Sequence, residues 1–162
     1  RRQRQMCIRD SYMGYDTVGP FLQYEGKWAV VLALTSNPSA ADFELQRMED
    51  GGYLYEKVID TACGWGTTDN LMFVVGATQA KMLRGIRRLI PNHFLLVPGV
   101  GAQGGSLEEV ARYGMNGRCG LLVNSSRGII YADSTERFAE AAAEKSAELA
   151  AEMAGLLDSY LK

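Results

Sequence analysis

Histidine and cysteine are scarce in this 162-residue chain: the one histidine is His93, and Cys7, Cys63 and Cys119 form no Cys-x-x-Cys pair. That is too few ligands for a structural zinc site. An odd number of widely spaced cysteines suits reduced thiols in the cytoplasm better than a disulfide framework, and Cys63 and Cys119 read as small core fillers. No apolar stretch approaches the ~20 residues of a membrane span, so no membrane is expected as a partner. A surplus of one charge is lacking too. The formal net charge of −2 offers no basic balance for nucleic acid. What is present, 47% hydrophobic and 22% charged residues, is the composition of a single globular domain with a sizeable core. The length fits a doubly wound sheet of about five strands but not a complete (β/α)8 barrel of ~250 residues.

Charge is unevenly placed. Arg1, Arg2, Arg4 and Arg9 against Asp10 give residues 1–10 a charge of +3, leaving −5 for the rest. This head has no signal-peptide apolar run and no helix or strand period. Its string RRQRQMCIRD resembles translated adaptor sequence at the ends of assembled reading frames, so residues 1–10 are expected to be foreign and residues 11–162 to form the domain. A basic nucleic-acid arm is the competing reading.

Four apolar runs of strand length recur: Trp28 to Leu34, Leu71 to Val75, Phe94 to Val97 and Gly120 to Val123. Each is followed by a turn rich in Gly, Ser or Asn and then by a segment of helical period. Consecutive rather than alternating apolar residues mark strands covered on both faces, as parallel strands are. The fold class is therefore α/β. Leu54, Val58 and Ala62 share one expected helix face; Met82, Leu83, Ile86 and Leu89 form another, between Arg84, Arg87 and Arg88, which read as a solvated face. Ser106 and Glu109 have the spacing of a capping box, predicting a helix from Leu107. A last helix is expected from about Thr135 to Leu161. His93, after Pro91-Asn92, suits a turn or strand end better than catalysis.

In α/β architectures ligands sit beyond the C-terminal ends of the strands. Here those ends read Thr35-Ser36-Asn37, Gly76-Ala77-Thr78-Gln79, Pro98 to Gly105, and Asn124-Ser125-Ser126-Arg127-Gly128. Gly99-x-Gly101-x-x-Gly104 formally matches the dinucleotide fingerprint, but it follows the third strand rather than the first, and the next strand ends in Asn124 where a ribose-binding carboxylate belongs. A phosphate site explains the last two loops together: glycines allow close backbone approach to an anion, and the Arg127 fork matches phosphate oxygens. Barrels commonly build such a site after their seventh and eighth strands. Four β/α units leave two architectures open, a small open sheet or half of a barrel.

With these loops in hand, the sequence from about Tyr12 onward resembles the bacterial type 2 branch of the orotidine 5'-phosphate decarboxylases. Tyr12-Met13-Gly14 is similar to the loop after that family's fourth strand. LALTSN (32–37) resembles its fifth strand, VVGAT (74–78) its sixth, LLVPGVGAQGG (95–105) its seventh and LLVNSSRGIIYA (121–132) its eighth. The resemblance implies the C-terminal half of a (β/α)8 TIM barrel in which Gln103 and Arg127 hold the substrate's 5'-phosphate. Ser126 and Gly128 would supply backbone to the same loop, Ser36 would hydrogen-bond the pyrimidine, and Pro98 would line the base pocket. It further implies loss of CO2 from orotidine 5'-monophosphate to give UMP, without metal or organic cofactor, in a cytoplasmic homodimer. The family's Asp-x-Lys-x-x-Asp motif is absent: none of Lys27, Lys57, Lys81, Lys145 and Lys162 has the flanking aspartates. The expectation is thus a fragment that carries the phosphate- and base-binding loops, without activity alone. Two alternatives remain: another phosphosugar-handling TIM-barrel lyase, or a non-catalytic phosphate-binding half-barrel, either free-standing or completed by dimerising.

Overall fold

The structure, a computed structural model, describes residues 10–101 and 104–161. The expectations for residues 1–9, Cys7 among them, and for Gln103 lie outside the described residues. Four strands, β1 (Ala29–Leu34), β2 (Leu71–Val75), β3 (Leu95–Pro98) and β4 (Leu121–Asn124), pair in sequence order, and every pairing is parallel. Helix α1 (Tyr15–Leu22) precedes β1. Helices α2 (Leu54–Cys63), α3 (Ala80–Leu89) and α4 (Leu107–Gly114) connect successive strands, and α5 (Ser126–Ile130) and α6 (Phe138–Tyr160) follow β4. Sequential parallel pairing puts all four strand C-termini on one rim.

The four expected runs are all strands, though β1 begins after Trp28, and β3 and β4 each start and stop one residue later than expected. Trp28 instead packs edge-on against Phe94, ring centroids 6.0 Å apart. Coverage of both strand faces is corrected for this chain. Val31, Phe73, Leu95 and Leu121 align across the sheet and are 0–6% exposed. The next row, Leu32, Val74, Leu96 and Leu122, points to the opposite face, because successive side chains alternate. There Leu122 is 53% exposed. Helices cover the first face with Ile59, Leu83, Ile86 and Val110, all fully buried. Each such side chain contributes ~1.5–3 kcal/mol of burial energy.

The helices are in place, with adjusted faces. In α2 the buried residues are Tyr55, Ile59 and Ala62 rather than Leu54 and Val58, a rotation of one position. Glu56 secures its start by accepting from the Tyr53 N–H at 2.8 Å. In α3 Ala80, Leu83 and Ile86 are buried, whereas Leu89 is exposed. The start of α4 at Leu107 is as expected, and Ser106 Oγ accepts from the Glu109 N–H at 3.2 Å, relieving one of the unpaired donors of a helix start. Helix α6 begins three residues later than expected and has no fully buried residue.

Arg87 is not part of a solvated face. Arg84 and Arg88 are exposed, but the Arg87 guanidinium is half-buried and donates to four carbonyls: Gly114, Ile90 at 3.2 Å, His93 at 2.6 Å and Gly120 at 2.7 Å. These oxygens belong to the ends of α3 and α4 and to the turns that lead into β3 and β4. A planar fork with five donors can bridge such a set; an ammonium cannot.

Candidate functional site

The C-terminal rim is assembled loop by loop through close backbone approaches. After β1, Ser36 lies against Gly76 at the end of β2. A Cβ on Gly76 would sit 2.0 Å from Ser36 Oγ and 2.6 Å from Ser36 N, so only glycine allows this approach. The Thr78 hydroxyl donates across the same junction to Ser36 O at 3.2 Å. The β2 loop then meets the β3 loop, where a Cβ on Gly105 would stand 2.4 Å from Ala77 Cβ. The Ser125 hydroxyl, after β4, donates to Val100 O in the β3 loop at 2.9 Å. Four loops from distant parts of the sequence thus touch in strand order.

The β3 loop folds back on itself. Gly104 N–H donates to Gly101 O at 2.7 Å and Gly101 N–H to Gly105 O at 2.9 Å. Gly99, Gly101 and Gly104 have φ of 94°, 76° and 84°, left-handed values that suit glycine. These glycines therefore serve turn geometry, and the close approach in this loop falls at Gly105. Beside them is a small open cavity lined by Pro98, Gly99, Val100, Asn124, Ser125, Ser126 and Arg127.

Most of the expected site residues converge on this rim. Pro98, Ser126 and Arg127 line the cavity. Gly128 lies one residue further along α5, and a Cβ there would approach Ser125 Oγ to 2.8 Å. Ser126 Oγ donates to Asn124 Oδ1 at 2.7 Å. The exposed Arg127 side chain has no hydrogen-bond or ion-pair partner among the described residues. A free fork beside glycine backbone can receive an oxyanion without first breaking an internal bond. Ser36 stands further round the rim, and its buried Oγ has no partner among the described residues. Leaving a buried hydroxyl unpaired costs ~1–3 kcal/mol; such a group is ready for a ligand. Gln103 is outside the described residues.

Two residues at the rim make contacts that the sequence does not signal: Glu44, and Tyr12 of the Tyr12-Met13-Gly14 loop. Glu44 is buried, 9% exposed, and accepts from both the N–H and the hydroxyl of Thr35. The Tyr12 hydroxyl donates to Ala33 O at 2.8 Å; its ionisation is pushed up by burial and then by the nearby Glu44 carboxylate. A charged residue in ADFELQ looks like any surface glutamate, and only the tertiary path of the β1 loop buries it.

The remaining titratable candidates lie elsewhere. His93 precedes β3 at the opposite end of the sheet, as expected for a strand-end residue. Its Nε2 is buried without a partner, and burial, then the neighbouring Arg87 charge, lowers its pKa. The Cys63 thiol is pushed up by burial and then by Asp60, the wrong direction for a nucleophile. Cys63 and Cys119 are half-buried against the core, in keeping with a packing role. Among the described residues no cluster of His, Cys, Asp or Glu could hold a metal ion. None of the helices there is long and apolar enough to cross a membrane.

No family model matches the chain. Curated relatives do. An orotidine 5'-phosphate decarboxylase of Bacteroides fragilis is 56% identical over 150 residues, which is 93% of this chain and 55% of the relative. One of Porphyromonas gingivalis is 62% identical over 132 residues, 82% of this chain and 48% of the relative. Among solved structures, Leishmania donovani UMP synthase superposes with a TM-score of 0.70 at 40% identity, covering 84% of this chain and 31% of that one. Leishmania donovani OMP decarboxylase gives 0.68 at 36% identity, covering 82% and 50%. The parallel four-stranded sheet with its helices matches half of the barrel of those enzymes. The chain spans about half the length of the curated relatives it matches, and over that half it is a homologue of the orotidine 5'-phosphate decarboxylases.

Proposed function

We propose that this chain is the substrate-gripping half of an orotidine 5'-monophosphate decarboxylase, whose reaction yields UMP and CO2. Arg127, with the Ser126 and Gly128 backbone and Gln103, holds the 5'-phosphate. Ser36 and Pro98 hold the pyrimidine. The observation that carries this reading is the unpaired Arg127 fork beside the cavity formed where the β3 and β4 loops are latched by Ser125, on a rim that also presents the unpartnered Ser36 hydroxyl.

Decarboxylation leaves a carbanion at C6 of a ring whose π-system cannot delocalise it, so the charge needs electrostatic stabilisation. The Asp-x-Lys-x-x-Asp motif that the resemblance assigns to that task does not occur in this sequence. Its own residues act at the far end of the substrate. Binding energy gained at a remote phosphate can be used to close loops and lower the barrier at the reacting carbon. A homodimer and a cytoplasmic location belong to the same proposal for the whole protein.

Calorimetric titration of the chain with UMP tests the reading. Arg127→Ala is expected to weaken UMP binding by ~1.5–3 kcal/mol, the worth of a hydrogen bond to a charged group. Unchanged affinity overturns the phosphate assignment. Incubation of the chain with orotidine 5'-monophosphate is expected to release no CO2; turnover would place the reacting groups within these residues after all.

A further inference from the structure

The β1 loop is held by more than its own hydrogen bonds. Glu44 Oε2 accepts from the Thr35 N–H at 2.7 Å, and the Thr35 hydroxyl reaches the two carboxylate oxygens at 3.0 and 3.1 Å. From the other side, the Tyr12 hydroxyl is bonded to Ala33 O two residues earlier. The chain between Thr35 and Glu44 runs through a short 3-10 turn, Pro38–Asp42, and closes where the Glu44 carbonyl accepts from the Tyr55 N–H of α2 at 3.0 Å. The N–H and the hydroxyl of Thr35 are thereby both occupied. Ser36, next in sequence, is pressed against Gly76 with its Oγ buried and unpartnered.

We propose that Glu44 is a positioning residue for Ser36: by binding Thr35 at both its N–H and its hydroxyl, it fixes the β1 loop so that the Ser36 hydroxyl stays free for the pyrimidine of the bound nucleotide. This rests on the assignment of Ser36 to the base. A buried carboxylate is kept only where hydrogen bonds compensate its desolvation, and here they come from the residue preceding the ligand contact. A leucine of similar size cannot do the same, because it offers no acceptor to the Thr35 N–H or hydroxyl, whereas a glutamine with its amide oxygen in the Oε2 position would keep both.

The test is calorimetric binding of UMP and of ribose 5-phosphate to the 162-residue chain and to Glu44→Leu, Ser36→Ala and the double variant. Ribose 5-phosphate engages the phosphate loops but has no base, so it reports on folding and phosphate binding alone. The expected result is that Glu44→Leu weakens UMP about tenfold, leaves ribose 5-phosphate within about twofold, and adds nothing to Ser36→Ala in the double variant. Glu44→Asp should recover part of the loss. An equal fall for both ligands would make Glu44 merely structural and overturn the proposal. So would unchanged UMP affinity in Glu44→Leu when Ser36→Ala loses it. If the unsubstituted chain binds UMP no better than ribose 5-phosphate, or Ser36→Ala is silent, the base assignment itself falls and takes the proposal with it.

Discussion

Two neighbouring rows of the sheet have similar composition and different environments. Val31, Phe73, Leu95 and Leu121 lie under helices and are almost wholly buried, whereas in the row of Leu32, Val74, Leu96 and Leu122 burial fades toward β4, where Leu122 is half-exposed. A sheet that met water on its second face would carry alternating polar residues. These strands do not alternate. Their composition is that of a two-sided core, and only one side is covered by the helices of this chain. The homologous enzymes are about twice as long, which accounts for an apolar second face: the composition suits a closed barrel of which these strands form one half.

The comparison breaks most sharply at Phe73, fully buried under the helices. Phe73→Ala should cost ~3–5 kcal/mol in urea unfolding of the chain, from lost burial and the cavity left behind. A loss below about 1 kcal/mol would mean that the helix-covered face is not the core. Next comes Arg87, which ties both helix ends to the turns before β3 and β4 on that same side. Arg87→Met removes a donor from the Gly114, Ile90 and His93 carbonyls and from Gly120 O, which keeps only the Leu95 N–H, and a loss of ~3 kcal/mol is expected. Arg87→Lys should recover only part of it, because a single ammonium cannot span the four oxygens.

Arg87 also marks where the sequence stops being informative. The strands were legible because burial on two faces writes consecutive apolar residues into the chain, and the rim was legible because strand-end loops with glycine, serine and arginine are chemically distinctive. Helix existence was legible; the exact face was not, as Tyr55 and Ile59 show, since one position of rotation changes little in a short apolar pattern. Arg87 and Glu44 were illegible for a different reason. Both are charged residues whose burial depends on partners brought up by the tertiary fold: Gly114 and Gly120 lie 27 and 33 residues away from Arg87, and no local period encodes those distances.

The second face supplies the smaller effects. Leu122→Ser, at a half-exposed position, should change the stability of the chain by no more than ~0.5 kcal/mol. The same substitution becomes diagnostic once that face is covered. In a protein with the remaining strands of the barrel in place, Leu122 would be a core residue, and truncating it should cost ~2–5 kcal/mol. Equal small effects in both contexts would show that this face never joins a core, and the half-barrel account of the apolar strands would fail.

The smallest expected effect lies at the far end of the covered face. His93 sits edge-on to Phe73, ring centroids 5.5 Å apart, with Nε2 buried and a pKa held below the ordinary 6.5 by burial and by Arg87. The folded state therefore binds the proton less readily than the unfolded chain does. Stability is fully present above about pH 6.5, the unfolded value, and is lost progressively as pH falls from there toward the lower folded value. Urea midpoints measured between pH 7.5 and pH 5 should fall in that window, and His93→Gln should flatten the change, since glutamine does not titrate. A slope that persists in His93→Gln would assign the pH dependence to carboxylates instead.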